Sequence, residues 1–402
     1  MASITLSIIE TLAIAALGLT LGRLVVRGIP LFQRLCLPEP VLGGLILCGV
    51  FTALQASGTT IQFDTTLQTP LMIAFFLSIG WMASLRNLKR GGPDVLKFLI
   101  ICSIVLVLQN LVGVVTARAL GQNPLLGILA GSVSLTGGPG TALAFGPSFE
   151  KAGVVSAGSI GTACALAGII LGGLLGSPVA TLLFKKERAP GEPPRTETRI
   201  LASEPLSIEA AAGSTLDAAH FPHHFGFFIV VMALGALVGK WINAAGITLP
   251  VYIGSMIVAA VIRNVHDSRK SHRLSEQWID EIGSVALSYF LVVATMTLQL
   301  SQLANLAGVL VVILAIQTTV VLAIAAFVVH RFSGRDYEAS VISGGFIGFM
   351  LGTTANALAN MNAITSRHGP APRAYLVVPL VGACFVDFVN AIVITLGIQL
   401  LS

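Results

Sequence analysis

The chain has 402 residues, of which 55% are hydrophobic and 10% charged, and its mean hydropathy is +0.89. Because soluble proteins carry about 25% charged residues, this composition excludes a soluble globular protein and predicts a polytopic membrane protein. The net charge of +5 at pH 7 does not indicate nucleic acid as a partner, since the basic residues lie in short loops beside apolar segments, where they set membrane orientation.

The first half of the chain contains five apolar segments of roughly the 20 residues that a transmembrane helix needs. They are 11–26, 41–55, 71–84, 98–116 and 155–184. A polar, proline-containing segment follows at 185–222 and is predicted to be a cytoplasmic linker, with His220, His223 and His224 on its polar face. The second half contains five more apolar segments, at 226–241, 250–262, 282–298, 309–329 and 375–401.

Two further apolar segments are interrupted where a membrane helix should not break. One contains Thr136-Gly137-Gly138-Pro139-Gly140-Thr141, and the other contains Gly352-Thr353-Thr354-Ala355-Asn356. In lipid an unpaired backbone amide or carbonyl costs several kcal/mol, so irregular backbone persists only inside protein or beside an aqueous cavity. One such interruption in each half indicates the binding site of a secondary transporter.

The basic loops predict how these segments cross the membrane. If each interrupted segment returns to the side of the membrane from which it entered, the clusters Arg86–Arg90 and Arg331–Arg335 share the cytoplasmic side, as the positive-inside rule requires. We therefore predict an all-α polytopic membrane protein with ten spans, two re-entrant hairpins at about 123–150 and 340–370, and both termini outside. Five spans per half imply two inverted-topology repeats, an N-terminal one at 1–184 and a C-terminal one at 223–402.

Several stretches of the chain match one known family. They are Pro38-Glu39-Pro40-Val41, Thr69-Pro70-Leu71-Met72, Gln109-Asn110, Leu129-Ala130-Gly131-Ser132, Gly137-Gly138-Pro139-Gly140-Thr141, Leu351-Gly352, Ala359-Asn360-Met361, and Val377-Val378-Pro379 through Asp387 and Asn390. In these stretches the sequence resembles the bacterial sodium/glutamate symporter family. The resemblance covers nearly the whole chain. It implies sodium-driven uptake of L-glutamate across a bacterial inner membrane, ten spans with two re-entrant loops, and a homodimer. It implies no enzyme activity and no cofactor besides sodium as the coupling ion.

Two positions depart from the family pattern. The family usually has His where this chain has Pro139, and a Thr-Pro pair where this chain has Thr354-Ala355. Both lie in the interrupted segments. They keep open an alternative, a sodium- or proton-coupled symporter of another organic anion such as a di- or hydroxycarboxylate.

The interrupted segments supply most of the predicted substrate-binding residues, and two glutamines within apolar spans supply the rest. No Arg or Lys lies deep in a span, so carboxylates have to be bound by neutral donors and by helix N-termini, whose free N–H groups suit anions. The predicted substrate-binding residues are Gly138, Gly140, Thr141, Thr353, Thr354, Asn356, Gln109 and Gln317. For the two glutamines, an equal alternative is a hydrogen bond to the broken backbone of the nearest hairpin. Glycines 168, 172 and 176 are instead expected to allow close helix packing.

Sodium, a hard cation, prefers oxygen ligands, and the predicted sodium-binding residues are Asp387, Asn360, Asn390 and Thr136. Asp387 lies well inside a span, where a carboxylate costs about 2.5–3.5 kcal/mol on insertion scales and usually marks an ion or substrate path. Asn390 follows one turn later on the same face. A packing lock between Asp387 and backbone donors is the alternative.

Other functional classes fit less well. An intramembrane aspartyl protease needs two membrane aspartates, and a rhomboid-like serine protease needs a membrane histidine, which these spans lack. A passive channel has no need of paired hairpins in inverted repeats.

Overall fold

The computed structural model describes residues 2–187, 221–244, 250–268, 275–298 and 303–401. Most of the predicted linker, 188–220, lies outside the described residues. The helices of the first half are α1 (Ile8–Gly28), α2 (Pro30–Arg34), α3 (Glu39–Ala56), α4 (Gln68–Met82), α5 (Leu85–Arg90), α6 (Gly92–Ala119), α7 (Pro124–Ile128), α8 (Gly138–Lys151) and α9 (Ala157–Glu187).

Those of the second half are α10 (Phe221–Ala244), α11 (Val251–Ser268), α12 (Glu276–Met296), α13 (Leu303–Ile324), α14 (His330–Phe332), α15 (Tyr337–Leu351), α16 (Thr354–His368), α17 (Pro372–Val381) and α18 (Asp387–Leu401). Three π-helical segments join successive helices, at Leu129–Val133, Ala325–Val329 and Gly382–Val386.

Every segment predicted from the sequence to span the membrane falls on a helix. Eight helical stretches of the described chain are long and apolar enough to cross a bilayer. The other two of the ten predicted spans fall on helical segments outside these eight stretches. One is α11, and the other is the continuous helical run from α17 through α18. The molecule is therefore a predominantly helical membrane protein.

Two details of the prediction were wrong. The chain is not purely α, because strands β1 (Ala2–Thr5) and β2 (Thr59–Gln62) form a two-stranded parallel sheet. β1 directly precedes α1, and β2 follows α3. Because α1 and α3 pack side by side, the start of α1 and the end of α3 bring the two strands together. His223 and His224 were also misplaced on the linker. Both lie in α10, and the buried Nε2 of His224 accepts a hydrogen bond from the Ser275 backbone N–H at 3.0 Å.

Each interrupted segment folds as a pair of helices, and the beginning of the first helix lies beside the end of the second. We call α7, the π-helical segment Leu129–Val133 and α8 the first helix pair, and α15 with α16 the second helix pair. At the base of the first pair, a methyl group on Gly153 would lie 3.9 Å from Nδ2 of Asn123. At the base of the second pair, the Tyr337 hydroxyl donates to the Gly369 carbonyl at 2.6 Å. Each pair therefore starts and ends at one place.

The bases of the two pairs lie at opposite ends of α6. The first pair begins directly after α6, whose C-terminal end is closed by a bond from Gln122 N–H to the Ala117 carbonyl. At the other end of α6, Asp94 pairs with Arg373 at 2.9 Å, and Arg373 also donates to the Ser333 carbonyl at the base of the second pair. Since 28 residues of helix span about 42 Å, the two pairs approach the centre of the molecule from opposite ends.

The helices form two packing groups. In one, α1 packs on α3, α10 on α11, and α4 and α12 join these pairs together. In the other, α6, α9, α13, α17 and α18 surround the two helix pairs. The groups touch mainly where α12 meets α8 and where α4 meets the π-helical segment Gly382–Val386.

The spaced glycines of α9 bring that helix against the second helix pair, as the sequence predicted. A methyl group at Gly168 would collide with the Leu351 carbonyl oxygen, and one at Gly176 with Nδ2 of Asn360. Such close backbone approach is the usual role of glycines at four-residue spacing in membrane helices. It sets α9 directly behind the second interruption.

Candidate functional site

The first break in helical structure runs from Gly131 to Gly137. Gly131 has φ −96° and ψ −125° inside the π-helical segment, which ends the run of α-helical bonds. The chain then turns, with Gly137 N–H bonded to the Ser132 carbonyl and Gly138 N–H to the Ser134 carbonyl. Gly138 has φ +66°, a left-handed conformation that disfavours other residues, and Pro139 follows at the start of α8, where its missing N–H costs nothing.

The second break is shorter and consists of Gly352 and Thr353. Gly352 has φ −147° and ψ −114°. Thr353 is the N-cap of α16, and its hydroxyl accepts a hydrogen bond from Asn356 N–H. The same hydroxyl donates to Asn356 Oδ1 at 2.9 Å. The first break begins earlier than the sequence indicated, the second begins at Gly352 as indicated, and both end earlier, so Gly138–Thr141 and Thr354–Asn356 form the first turns of α8 and α16.

The two breaks face each other. A methyl group at Gly138 would lie 3.8 Å from Cγ2 of Thr353, so the starts of α8 and α16 lie close together. The first turn of a helix leaves N–H groups without intrahelical partners and carries partial positive charge. Two such helix starts at one place form an anion-binding environment without a charged side chain.

Two glutamines and a threonine hold the breaks together. Gln109, at the middle of α6, donates from Nε2 to the Met350 carbonyl at 3.0 Å. The Thr136 hydroxyl lies 2.8 Å from Gln109 Oε1 and 3.3 Å from the same carbonyl. Gln317 on α13 donates to the Gln109 carbonyl at 2.6 Å. Gln109 therefore joins the two helix pairs, through Thr136 of the first and Met350 of the second.

Asn356 and Asn360 fix the start of α16 to α9. The side-chain amide of Asn356 donates to the Ile169 carbonyl at 2.7 Å, and that of Asn360 donates to the Gly172 carbonyl at 3.0 Å. Both asparagines are almost fully buried. Their nitrogen atoms are thus committed to backbone acceptors, and Asn360 lies on the α9 side of the site, in no direct bond with the other predicted sodium ligands.

Asn390 lies beside the first break. Its Nδ2 donates to the Ser132 carbonyl at 3.0 Å, while Ser132 N–H donates to Asn110 Oδ1 at 3.1 Å. Asp387, one turn earlier on α18, is half-buried, and within the described ranges its carboxylate makes no hydrogen bond or ion pair. Thr354 lies nearby, with Oγ1 3.4 Å from the position of a methyl group on Gly382.

Buried positive charge is absent from the breaks in the part of the chain that the structure describes. Arg263 is the only buried Arg or Lys among the described residues. It lies on α11, in the packing group that does not contain the helix pairs. It pairs with Asp267 at 3.2 Å and with Glu276, and its guanidinium lies 5.6 Å from the Trp81 ring centre. An anion placed at the breaks would therefore meet helix starts and neutral side chains, and no buried basic side chain of the described chain.

The structure groups most of the predicted residues but adds two that sequence reasoning missed. Thr136, Gln109 and Gln317 form one chain of bonds, and Gly138 lies near Thr353. The missed residues are Asn110 and Ser132, which are buried and bonded to each other at the first break. Each was marked in the sequence only by a polar side chain within an apolar, family-like stretch.

A helical membrane protein with two opposed helix breaks meeting in a buried polar region has the architecture of a secondary transporter. The sequence profile of the sodium/glutamate symporter family matches residues 4–370, and the chain belongs to this family.

Two relatives extend this match over the full length. The chain is 37% identical to the sodium/glutamate symporter of Haemophilus influenzae over 97% of this chain and 96% of that protein. It is 38% identical to the sodium/glutamate symporter of Escherichia coli over 98% of each. Among solved structures, the sodium proton antiporter MjNhaP1 from Methanocaldococcus jannaschii at pH 8 aligns over 98% of both chains with 14% identity and a TM-score of 0.44.

Proposed function

We propose that this protein imports glutamate in symport with sodium ions, with the paired breaks as the transport site. The observation that carries the proposal is the closeness of Gly138 to Thr353, since a methyl group on Gly138 would lie 3.8 Å from Cγ2 of Thr353. Two helix starts thus lie together inside a member of the sodium/glutamate symporter family. The names of the two full-length relatives favour glutamate over another organic anion.

We place the substrate carboxylates at the starts of α8 and α16. After the left-handed turn at Gly138, the residues Gly140 and Thr141 offer backbone N–H groups and a hydroxyl on one side. On the other side Thr353 caps the helix start and Thr354 offers a hydroxyl. Helix starts bind carboxylates through N–H groups and the helix dipole. Asp387, without a protein partner in the described chain, then balances the substrate ammonium or a sodium ion.

Gln109, Gln317 and Asn356 act as positioning residues in this scheme. Each uses its amide nitrogen on a backbone carbonyl, so each holds a break in shape and leaves the glycines and threonines to contact glutamate. Sodium has oxygen atoms of Thr136, Asn360, Asn390 and Asp387 as candidate ligands, as the sequence predicted.

We infer that both helix pairs are re-entrant and that the two halves are inverted repeats. Three observations support this: each pair starts and ends at one place, the bases lie at opposite ends of α6, and the order of helices is the same in both halves. The ends of α8 and α16 should then open to opposite sides of the inner membrane. Both chain termini should face outward.

Labelling tests that topology. Glu150 and Ser366 are exposed residues near the ends of α8 and α16. Single cysteines at Glu150→Cys and Ser366→Cys should react with an impermeant thiol reagent from opposite faces of oriented vesicles. Reaction of both from the same face would contradict the inverted arrangement.

Transport would proceed by movement of the group that carries the helix pairs past the other packing group, with the protein assembled as a homodimer. Inward movement of one positive charge gains about 2.3 kcal/mol per 100 mV, whereas an inward-moving glutamate anion opposes the field. One sodium ion gives neutrality, and a second allows the membrane potential to drive uptake.

The decisive experiment is uptake of radiolabelled glutamate into proteoliposomes under an imposed sodium gradient. We expect accumulation that collapses when sodium is equal on both sides. Asp387→Asn and Thr141→Ala should each impair it, the first through sodium dependence and the second through glutamate affinity. Uptake that ignores the sodium gradient would refute the proposal.

A further inference from the structure

Four buried polar side chains around the first break each leave one atom without a hydrogen-bond partner in the described chain. They belong to four elements: α6, the π-helical segment of the first helix pair, α13 and α18. The unpaired atoms are Nδ2 of Asn110, Oγ of Ser132, Oε1 of Gln317 and Oδ1 of Asn390. Three of the four groups present an oxygen or hydroxyl, the donor type that sodium prefers.

These side chains surround one short piece of backbone. Asn110 accepts from Ser132 N–H, and Asn390 donates to the Ser132 carbonyl. Gln317 lies beside the preceding residue, since its Nε2 is 3.3 Å from the position of a methyl group on Gly131. The second polar atom of each amide is the one left unpaired.

The burial of this cluster makes the unpaired atoms costly. Ser132 and Gln317 are 0% exposed and Asn390 is 1% exposed. A buried polar atom without a partner is destabilising, and several in one cluster indicate a bound ion or water molecule. A cation is favoured over water alone because the half-buried carboxylate of Asp387 lies one helical turn from Asn390 and has no protein partner in the described ranges.

We propose that Ser132 Oγ, Asn390 Oδ1 and Gln317 Oε1 are ligands of a coupling sodium ion, behind the first break. The inference rests on the proposed sodium symport and deepens it, because it replaces part of the ligand set expected from the sequence. Asp387 supplies the countercharge, and Asn110 positions Ser132. Of the residues predicted to bind sodium, Asn360 lies outside this site.

The site is mechanically connected to the proposed glutamate site. The Ser132 carbonyl accepts from Gly137 N–H, and Gly137 directly precedes the start of α8. An ion that fixes Ser132 therefore also fixes the helix start that faces Thr353. Sodium should then raise glutamate affinity, and by thermodynamic reciprocity glutamate should raise sodium affinity to the same extent.

Ser132→Ala in the full-length protein is the direct test. The Ser132 hydroxyl has no protein partner, so its removal breaks no hydrogen bond and should leave the sodium-free protein at least as thermally stable as wild type. Loss of one ligand should raise the sodium concentration for half-maximal glutamate uptake by about ten- to hundredfold, the range seen when metal-site groups are removed. The increase in Tm that sodium alone causes, measured without glutamate, should fall in parallel.

Two further variants separate ligand loss from packing. Ser132→Cys keeps nearly the same volume but offers sulfur, a poor ligand for a hard cation, so it should weaken sodium dependence as Ser132→Ala does. Ser343→Ala is the matched control, because Ser343 is equally buried and its hydroxyl is bonded to the Ala339 carbonyl of its own helix. It should keep wild-type sodium dependence.

The outcomes distinguish the site from the function. If wild type shows sodium-driven uptake but both Ser132 variants keep the wild-type sodium dependence and Tm shift, the site is wrong and the symport stands. If Ser132→Cys behaves as wild type while Ser132→Ala does not, packing and not coordination explains the effect, which also overturns the site. If wild type shows no sodium-driven uptake, the proposed function itself fails.

Discussion

The side-chain amide of Gln109 donates a 3.0 Å hydrogen bond to the Met350 carbonyl, which joins the middle of α6 to the last turn before the second break. The same glutamine contacts Thr136 of the first break through Oε1. One neutral side chain thus connects two helix ends that arrive from opposite directions.

Replacement of Gln109 by Met should uncouple the breaks. The variant keeps side-chain length but leaves buried polar partners unsatisfied, at a cost of about 1–3 kcal/mol. We expect a lower Tm and a higher glutamate KM in the proteoliposome assay. Gln55→Met, at an exposed position of α3, should change neither quantity, and an unchanged KM in Gln109→Met would argue against a positioning role.

Gly138→Ala should strain the start of α8. A non-glycine residue in the left-handed region costs roughly 1–2 kcal/mol, and here the strain distorts N–H groups proposed to bind a carboxylate. Glutamate uptake should fall more than Tm does. Gly138→Asn should recover part of the activity, because asparagine tolerates this conformation.

Its matched control is Gly226→Ala, since a methyl group there meets no atom within 4 Å and lies in the helical backbone of α10. That variant should transport as wild type. Equal uptake by Gly138→Ala and Gly226→Ala would exclude a special role for the backbone at residue 138.

Thr353→Ala should weaken both the fold and the substrate site. The change removes the N-cap hydroxyl of α16, which is worth about 1 kcal/mol, and so loosens the helix start that lies near Gly138. We expect a several-degree lower Tm and a raised glutamate KM, and both should return to near wild-type values in Thr353→Ser. Thr20→Ala on the exposed part of α1 is the control. Failure of serine to restore KM would show that the threonine methyl group matters more than the hydroxyl.

Gly168→Ala should displace α9 from the second break. The new methyl group would collide with the Leu351 carbonyl oxygen, and overpacking of this kind typically costs about 1–3 kcal/mol. Reduced Tm and reduced transport rate are expected together. Gly49→Ala should be harmless, because a methyl group at Gly49 has no neighbour within 4 Å. If Gly168→Ala were as stable as wild type, the prediction that close packing of α9 against Leu351 matters would be wrong.

The sequence predicted the helical framework well because the bilayer imposes a simple rule. Each span needs a long apolar segment, and segments such as 98–116 and 309–329 are recognisable without tertiary information. The two interruptions were also recognisable, since Gly-Gly-Pro-Gly and Gly-Thr-Thr cannot continue an apolar helix without consequence. The start of the second interruption was right, whereas the start of the first was misplaced by several residues, because Gly131 breaks the first helix through its ψ angle and not through any rule of composition.

Side-chain roles could not be read from the sequence. Gln317 and Gln109 were each expected to reach substrate or the nearest broken backbone, yet Gln317 donates to the carbonyl of Gln109 and Gln109 to that of Met350. These partners are 208 and 241 residues apart. Which amide meets which carbonyl depends on helix rotation and depth, which packing alone fixes.

By itself, then, the amino-acid order determined the spans, the positions where helices fail and the family, because hydrophobic length and helix-breaking residues act locally. Only the tertiary structure decided that Gly138 lies against Thr353, that Asn360 faces α9, and that Ser132 and Asn390 leave unpaired atoms at one place. Those facts depend on how distant helices pack, and close packing selects one arrangement among many that the same pattern of apolar segments allows.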